Sequence, residues 1–178
     1  MSRAASTMEI FLQPGEYFVG DADFRVRTLL GSCVSVTLWH AAKRYGAMSH
    51  FLLGSRKDQP DGPADGRYGD EAMRLMIGEL RQAGIEPREC EAKIFGGGDM
   101  FPMHKRMSAL NVGQKNGEAA KQLLRGYAIP LVSESLYGTG HRQVIFDISN
   151  GHVWSRQIKP AAAVVPVAPA VREMRMAS

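Results

Sequence analysis

Residues Gly31-Ser32-Cys33-Val34-Ser35-Val36-Thr37-Leu38-Trp39, then Ala41-Ala42-Lys43-Arg44, then Tyr45-Gly46-Ala47-Met48-Ser49-His50-Phe51-Leu52-Leu53 decide the fold. Val34, Val36 and Leu38 alternate with Ser35, Thr37 and Trp39, the period of two of a strand with one buried face. Cys33 begins that strand. Tyr45 to Leu53 reads as a second strand, and the four residues Ala41 to Arg44 are enough for a hairpin. His50 then lies well inside the second strand. Paired through that turn, the start of one strand lies across from the end of the other, and Cys33 meets His50.

Working outward, Ser55 to Gly69 is rich in Gly, Pro and charge and reads as a mobile surface loop. From Asp70, a plausible N-cap, Met73, Met76, Ile77 and Leu80 recur at helical spacing, and Gly84 suits a left-handed C-terminal position. Ala92 to Phe95 is a short strand running into Gly96-Gly97-Gly98. Asn111 or Asn116 caps a second helix through Ala119, Ala120, Leu123 and Leu124, ended by Gly126. Ile129 to Ser135, Arg142 to Ile148 and His152 to Ile158 are strands, the last two joined by the hairpin turn Asn150-Gly151. The expected class is α/β (α+β), with mixed, largely antiparallel sheets and two helices.

The 178 residues suit one domain, placed at residues 1–159, with an Ala/Val/Pro-rich tail at 160–178 that Pro160, Pro166 and Pro169 keep from forming one helix. Lys and Arg number 22 against 18 Asp and Glu, a net charge of +4. Four cations against one anion lie between Gly151 and Ser178, so the body is nearly neutral. It carries no basic stripe with interleaved aromatics, which argues against nucleic-acid binding. The apolar stretch Ala161 to Val171 is broken by proline and falls short of the ~20 residues a membrane span needs. Cys33 and Cys90 form no disulfide framework and have no zinc spacing, and no secretion signal opens the chain; a reduced, cytoplasmic protein is expected.

Gly31 and Ser32 make a tight backbone approach that exposes Cys33 and leaves N–H groups free for a developing oxyanion. An imidazole within reach draws the thiol proton, so Cys33 is expected to titrate below a free thiol. Thr28 is a candidate to fix the His50 tautomer, with Ser32, Ser35 and Ser49 as rivals. Cys90 lies between Glu89 and Glu91, whose charges disfavour a thiolate. Gly96-Gly97-Gly98-Asp99 lacks the ending of a phosphate loop and reads as a strand end needing positive φ. His40, His104, His141 and His152 are scattered without ligand spacing.

Three runs carry a resemblance: Gly31-Ser32-Cys33-Val34-Ser35-Val36, Gly46-Ala47-Met48-Ser49-His50-Phe51-Leu52-Leu53, and Ala92-Lys93-Ile94-Phe95-Gly96-Gly97-Gly98-Asp99-Met100-Phe101. Together they resemble CheD, the chemoreceptor glutamine deamidases, over roughly Glu9 to Lys159. Gln13-Pro14-Gly15-Glu16-Tyr17 resembles the start of the family domain, and Gly113-Gln114-Lys115-Asn116 the segment before its second helix. The resemblance implies an α/β sandwich with a papain-like Cys/His arrangement, and hydrolysis of receptor glutamine side chains to glutamate and ammonia through a Cys thioester. It implies Cys33 as nucleophile, His50 as general base and Thr28 as orienter, with no cofactor. Implied partners are the cytoplasmic part of chemotaxis receptors and a CheC-type phosphatase; the alternative role is a non-catalytic regulator of that phosphatase. The chain departs from the family pattern at Ser133-Glu134-Ser135-Leu136-Tyr137-Gly138 and at Gly117, where an apolar residue is common.

Overall fold

The computed structural model describes residues 6–58, 62–101 and 111–159. Along them run β1 (Met8–Phe11), β2 (Tyr17–Gly20), β3 (Phe24–Leu30), β4 (Val34–His40), β5 (Tyr45–Ser49), α1 (Gly69–Gln82), β6 (Glu91–Gly96), α2 (Val112–Gly126), β7 (Leu131–Leu136), β8 (His141–Asp147) and β9 (His152–Ile158). A single 3-10 turn, Pro87–Glu89, precedes β6. One sheet has the order β1-β3-β8-β9 and the other β2-β5-β4-β6-β7. Pairing is antiparallel except at β1·β3 and β6·β7, which gives the mixed, largely antiparallel α+β architecture expected.

Three layers result. Val34, Val36 and Leu38 of β4 pack with Met73, Met76, Ile77 and Leu80 of α1 and Ala120 and Leu124 of α2. On the other side of the same sheet, Met48 and Phe95 meet Val26, Leu30, Val144 and Phe146 of the second sheet, with Cys33 and Trp39 packed against them. β4 is therefore buried on both faces, not one, and its second face carries the small hydroxyls of Ser35 and Thr37, both almost fully buried. The sheets are clasped by side chains: Trp39 Nε1 donates to Ile148 O and Lys93 Nζ to Gly151 O, each at 2.9 Å. From the opposite sheet, Arg142 donates to Gly96 O and Tyr137 O, each at 2.8 Å.

Some boundaries differ from the sequence reading. The second strand ends at Ser49 rather than Leu53, because His50 turns its backbone to the Gly15–Glu16 turn: His50 N donates to Glu16 O and Gly15 N to His50 O. α1 begins at Gly69 with Tyr68 in the capping place and no side-chain cap; Asp70 lies in the first turn, where its charge suits the helix dipole. Asn111, not Asn116, caps α2, its side chain accepting from Gly113 N. The 55–69 segment is tied down where it is described: Arg56 grips Glu71 through Nε and Nη2, Asp65 N donates to Glu71, and the Arg56 guanidinium lies over the Tyr68 ring. β1, β2 and β3 were not read from the sequence. Gly84 (φ +72) and Gly151 (φ +74) are left-handed as expected. The tail 160–178 and His104 lie outside the described residues.

Candidate active site

β4 and β5 place the first two candidate residues. Val34 and Phe51 exchange both backbone hydrogen bonds, at 3.1 and 3.0 Å, and face the helices. Residues one step away point to the other face, toward the second sheet. Cys33 and His50 are therefore diagonal neighbours on the inter-sheet face of that pair, a relation that spans about 7–8 Å between Cα atoms and less between Cβ atoms. They share no hydrogen bond in this structure; such contacts commonly tighten only when substrate is bound.

The second sheet supplies the third residue. Thr28 on β3 is buried, and its Oγ1 lies 2.7 Å from His50 Nδ1 and 2.9 Å from Leu12 O. A threonine hydroxyl has one proton, and Leu12 O can only accept. Both contacts are satisfied when Thr28 donates to Leu12 O and accepts from an Nδ1–H of His50, which leaves Nε2 with the lone pair. Among the rival hydroxyls, Ser49 Oγ accepts from Val36 N at 3.3 Å, and Ser35 Oγ is buried with no partner. Among the described residues, Thr28 supplies the hydroxyl that hydrogen-bonds the imidazole.

Burial sets the charge state. His50 is 2 % exposed, and desolvation pushes its pKa down to about 4, against the opposing pull of the Leu12 carbonyl and the Glu16 charge. The imidazole is neutral near pH 7 and able to accept a proton. Burial pushes the Cys33 thiol up, partly offset by its own backbone N–H. That direction is opposite to the lowered thiol expected from the sequence, since burial here outweighs any help from the neighbouring imidazole. Cys90 is raised to about 11, by burial first and the Glu89 charge second, which makes it inert as anticipated.

The glycine loop lies behind Cys33. Gly96 (φ +111) and Gly97 (φ +64) have the positive φ expected. Gly97 N donates to Cys33 O and Gly98 N to Gly31 O, both at 2.9 Å, so these N–H groups hold the Cys33 segment rather than face a substrate. Sequence reasoning missed Asn116. It is buried on α2, and its Nδ2 donates to Ser32 O at 3.1 Å and Leu52 O at 2.7 Å, bridging the chain beside Cys33 to the chain beyond His50. An Asn-Gly pair inside a helix, where both residues are poor helix formers, was the signal that could have marked it. The departures at Gly117 and Tyr137 also meet: a Cβ on Gly117 would lie 2.7 Å from the Tyr137 hydroxyl, so the missing side chain makes room for the ring.

His40 Nδ1 accepts from Lys43 N, and His141 and His152 are exposed. Among the described residues no cluster of His, Cys, Asp or Glu could hold a metal ion, and no helix is long and apolar enough to cross a membrane.

A family model described as "CheD chemotactic sensory transduction" matches residues 52–157. The chain is 61% identical over 161 residues to a protein of Albidiferax ferrireducens named "Probable chemoreceptor glutamine deamidase CheD 2", covering 90% of this chain and 93% of that one. A similarly named CheD 3 of Dechloromonas aromatica is 44% identical over 86% of this chain and 91% of its own. A CheD of Pseudomonas savastanoi pv. phaseolicola is 42% identical over 92% of both. Identity of this order across nearly the whole of both chains, with the family model spanning the glycine loop and both helices, settles the kinship: this chain belongs to the CheD family.

Proposed function

We propose that this chain hydrolyses the side-chain amide of glutamines in the cytoplasmic part of chemotaxis receptors, giving glutamate and ammonia, with Cys33 as nucleophile, His50 as general base and acid, and Thr28 as orienter. The observation that carries this reading is the 2.7 Å contact of Thr28 Oγ1 with His50 Nδ1, which holds the proton on Nδ1 and leaves the lone pair on a neutral Nε2. His50 Nε2 takes the Sγ proton as the sulfur lone pair bonds to the amide carbon, and the carbonyl π pair moves to oxygen. The oxyanion then re-forms the carbonyl, the C–N bond breaks, and the Nε2 proton goes to the departing nitrogen as ammonia. A water, giving its proton to His50, attacks the thioester. The second oxyanion collapses, the C–S bond breaks, and the sulfur leaves with that proton restored. No step calls for a metal or an organic cofactor.

The relatives named as chemoreceptor glutamine deamidases support the substrate class. The test is incubation of the purified chain with a receptor cytoplasmic fragment, followed by peptide mass mapping. Conversion of particular Gln residues to Glu is expected, and absence of conversion on receptor fragments from the same organism overturns the reading.

A further inference from the structure

Three successive carbonyls around Cys33 are each held by a donor, two from the glycine loop and one from α2. Gly31 O accepts from Gly98 N, Ser32 O from Asn116 Nδ2, and Cys33 O from Gly97 N. A trans peptide is planar, so its C=O and the following N–H point in opposite directions. Drawing Ser32 O toward α2 therefore turns the Cys33 N–H away from α2. Among the described residues that N–H has no acceptor in the backbone or in another side chain. It lies close to its own sulfur, where it offsets part of the upward push that burial gives the thiol. A free N–H beside the attacking atom is the geometry that holds a developing oxyanion.

Asn116 fixes this plane from a secure base. The first turn of α2 sits directly on the glycine loop, with Gly113 packed against the Gly97 backbone so closely that a Cβ on either would collide with the other's carbonyl. Asn116 lies on the same buried face, with Gly113, Gly117, Ala120 and Leu124. Both acceptors on Nδ2 are carbonyl oxygens, so the amide can sit only with its nitrogen toward them. Its second bond, to Leu52 O, adds a side-chain rung to the β4·β5 ladder just past the Val34–Phe51 pair, where backbone pairing stops.

We propose that Asn116 is a positioning residue for amide hydrolysis, holding the Ser32–Cys33 peptide plane so that the Cys33 N–H serves as an oxyanion donor. This rests on Cys33 being the nucleophile. Asn116→Asp keeps the shape but removes the donor, and Asn116→Ser keeps one donor for two carbonyls. Each variant is assayed for hydrolysis of the receptor fragment and, separately, for the pH profile of Cys33 alkylation by iodoacetamide. Alkylation is displacement at a saturated carbon and creates no oxyanion. The expected result is a kcat lower by about 10–100-fold with KM unchanged, while the alkylation profile stays as in the wild type. Where Asn116→Asp does not fold, as judged by circular dichroism, Asn116→Ser carries the measurement. Wild-type kcat in the folded variants overturns the proposal. So does a parallel loss of hydrolysis and alkylation, which is what a merely structural role gives. Cys33→Ala separates the two readings: an active Cys33→Ala removes the nucleophile, whereas an inactive one with unaffected Asn116 variants removes this inference alone.

Discussion

At the scale of single residues, the hydroxyl of Thr28 is the most economical device in the site. Thr28→Val keeps the shape and removes both the acceptor for His50 Nδ1–H and the donor to Leu12 O. The tautomer is then free to change, and kcat is expected to fall on the order of 10–100-fold with the fold retained. Thr28→Ser restores most of it; a fully active Thr28→Val contradicts the role. His50 also has a signature in stability. Its folded value of about 4 lies below the ordinary 6.5, so between these values the unfolded chain binds a proton that the folded chain refuses. Stability attributable to His50 is thus full above about pH 6.5 and lost as pH falls toward 4, a displacement worth about 3 kcal/mol. Asp65 and Glu71, held down to about 2 chiefly by Arg67 and Arg56, act in the same direction but only in the carboxylate range. Urea unfolding between about pH 6.5 and 5 should therefore lose stability more steeply in the wild type than in His50→Gln. Equal slopes contradict a buried neutral imidazole.

At the scale of elements, the site depends on backbones that approach too closely for side chains. Gly96 ends β6 with φ +111, and a Cβ there would collide with the Cys33 carbonyl. Gly96→Ala is expected to displace Cys33 and, if Cys33 attacks the substrate as proposed, lower kcat on the order of 100-fold, since a shift of about 1 Å at a reacting atom has that effect. Unchanged activity in a folded Gly96→Ala contradicts the proposed role of the Cys33 position in catalysis. The elements that were legible are those with an unambiguous period: the 34–39 alternation, the 73–80 helical spacing, and β8 and β9 flanking Asn150-Gly151. The first thirty residues hid three strands, although Val26, Thr28 and Leu30 alternate with Arg25 and Arg27. The pattern was obscured because one inward position is a threonine, there to meet His50 and not to pack. Asn116 was hidden for a related reason. An asparagine at a helix start reads as a cap from local chemistry alone, and only the approach of α2 to the Ser32 and Leu52 carbonyls gives it partners.

At the scale of the whole molecule, the catalytic candidates lie between two sheets, so the site is only as rigid as the sandwich. Cys33 and His50 come from one sheet and Thr28 from the other. Arg142 spans the gap at the same end, gripping Gly96 O and Tyr137 O from β8, with its Nε buried and unpartnered and its pKa lowered by burial. Removing it as Arg142→Ala leaves backbone carbonyls with fewer donors, and is expected to destabilise by about 1–3 kcal/mol in urea unfolding. A neutral Arg142→Ala contradicts its part in the clasp. The surface context of receptor docking was not legible in the sequence, because it depends on which exposed residues from distant segments end up around Cys33. Cys33 as a candidate nucleophile was legible, and that role is tested most directly by comparing wild type and Cys33→Ala in the receptor-fragment assay, with matched melting temperatures as the control. We predict site-specific Gln-to-Glu conversion by the wild type and none above background by Cys33→Ala; conversion by Cys33→Ala at the wild-type rate would contradict the account.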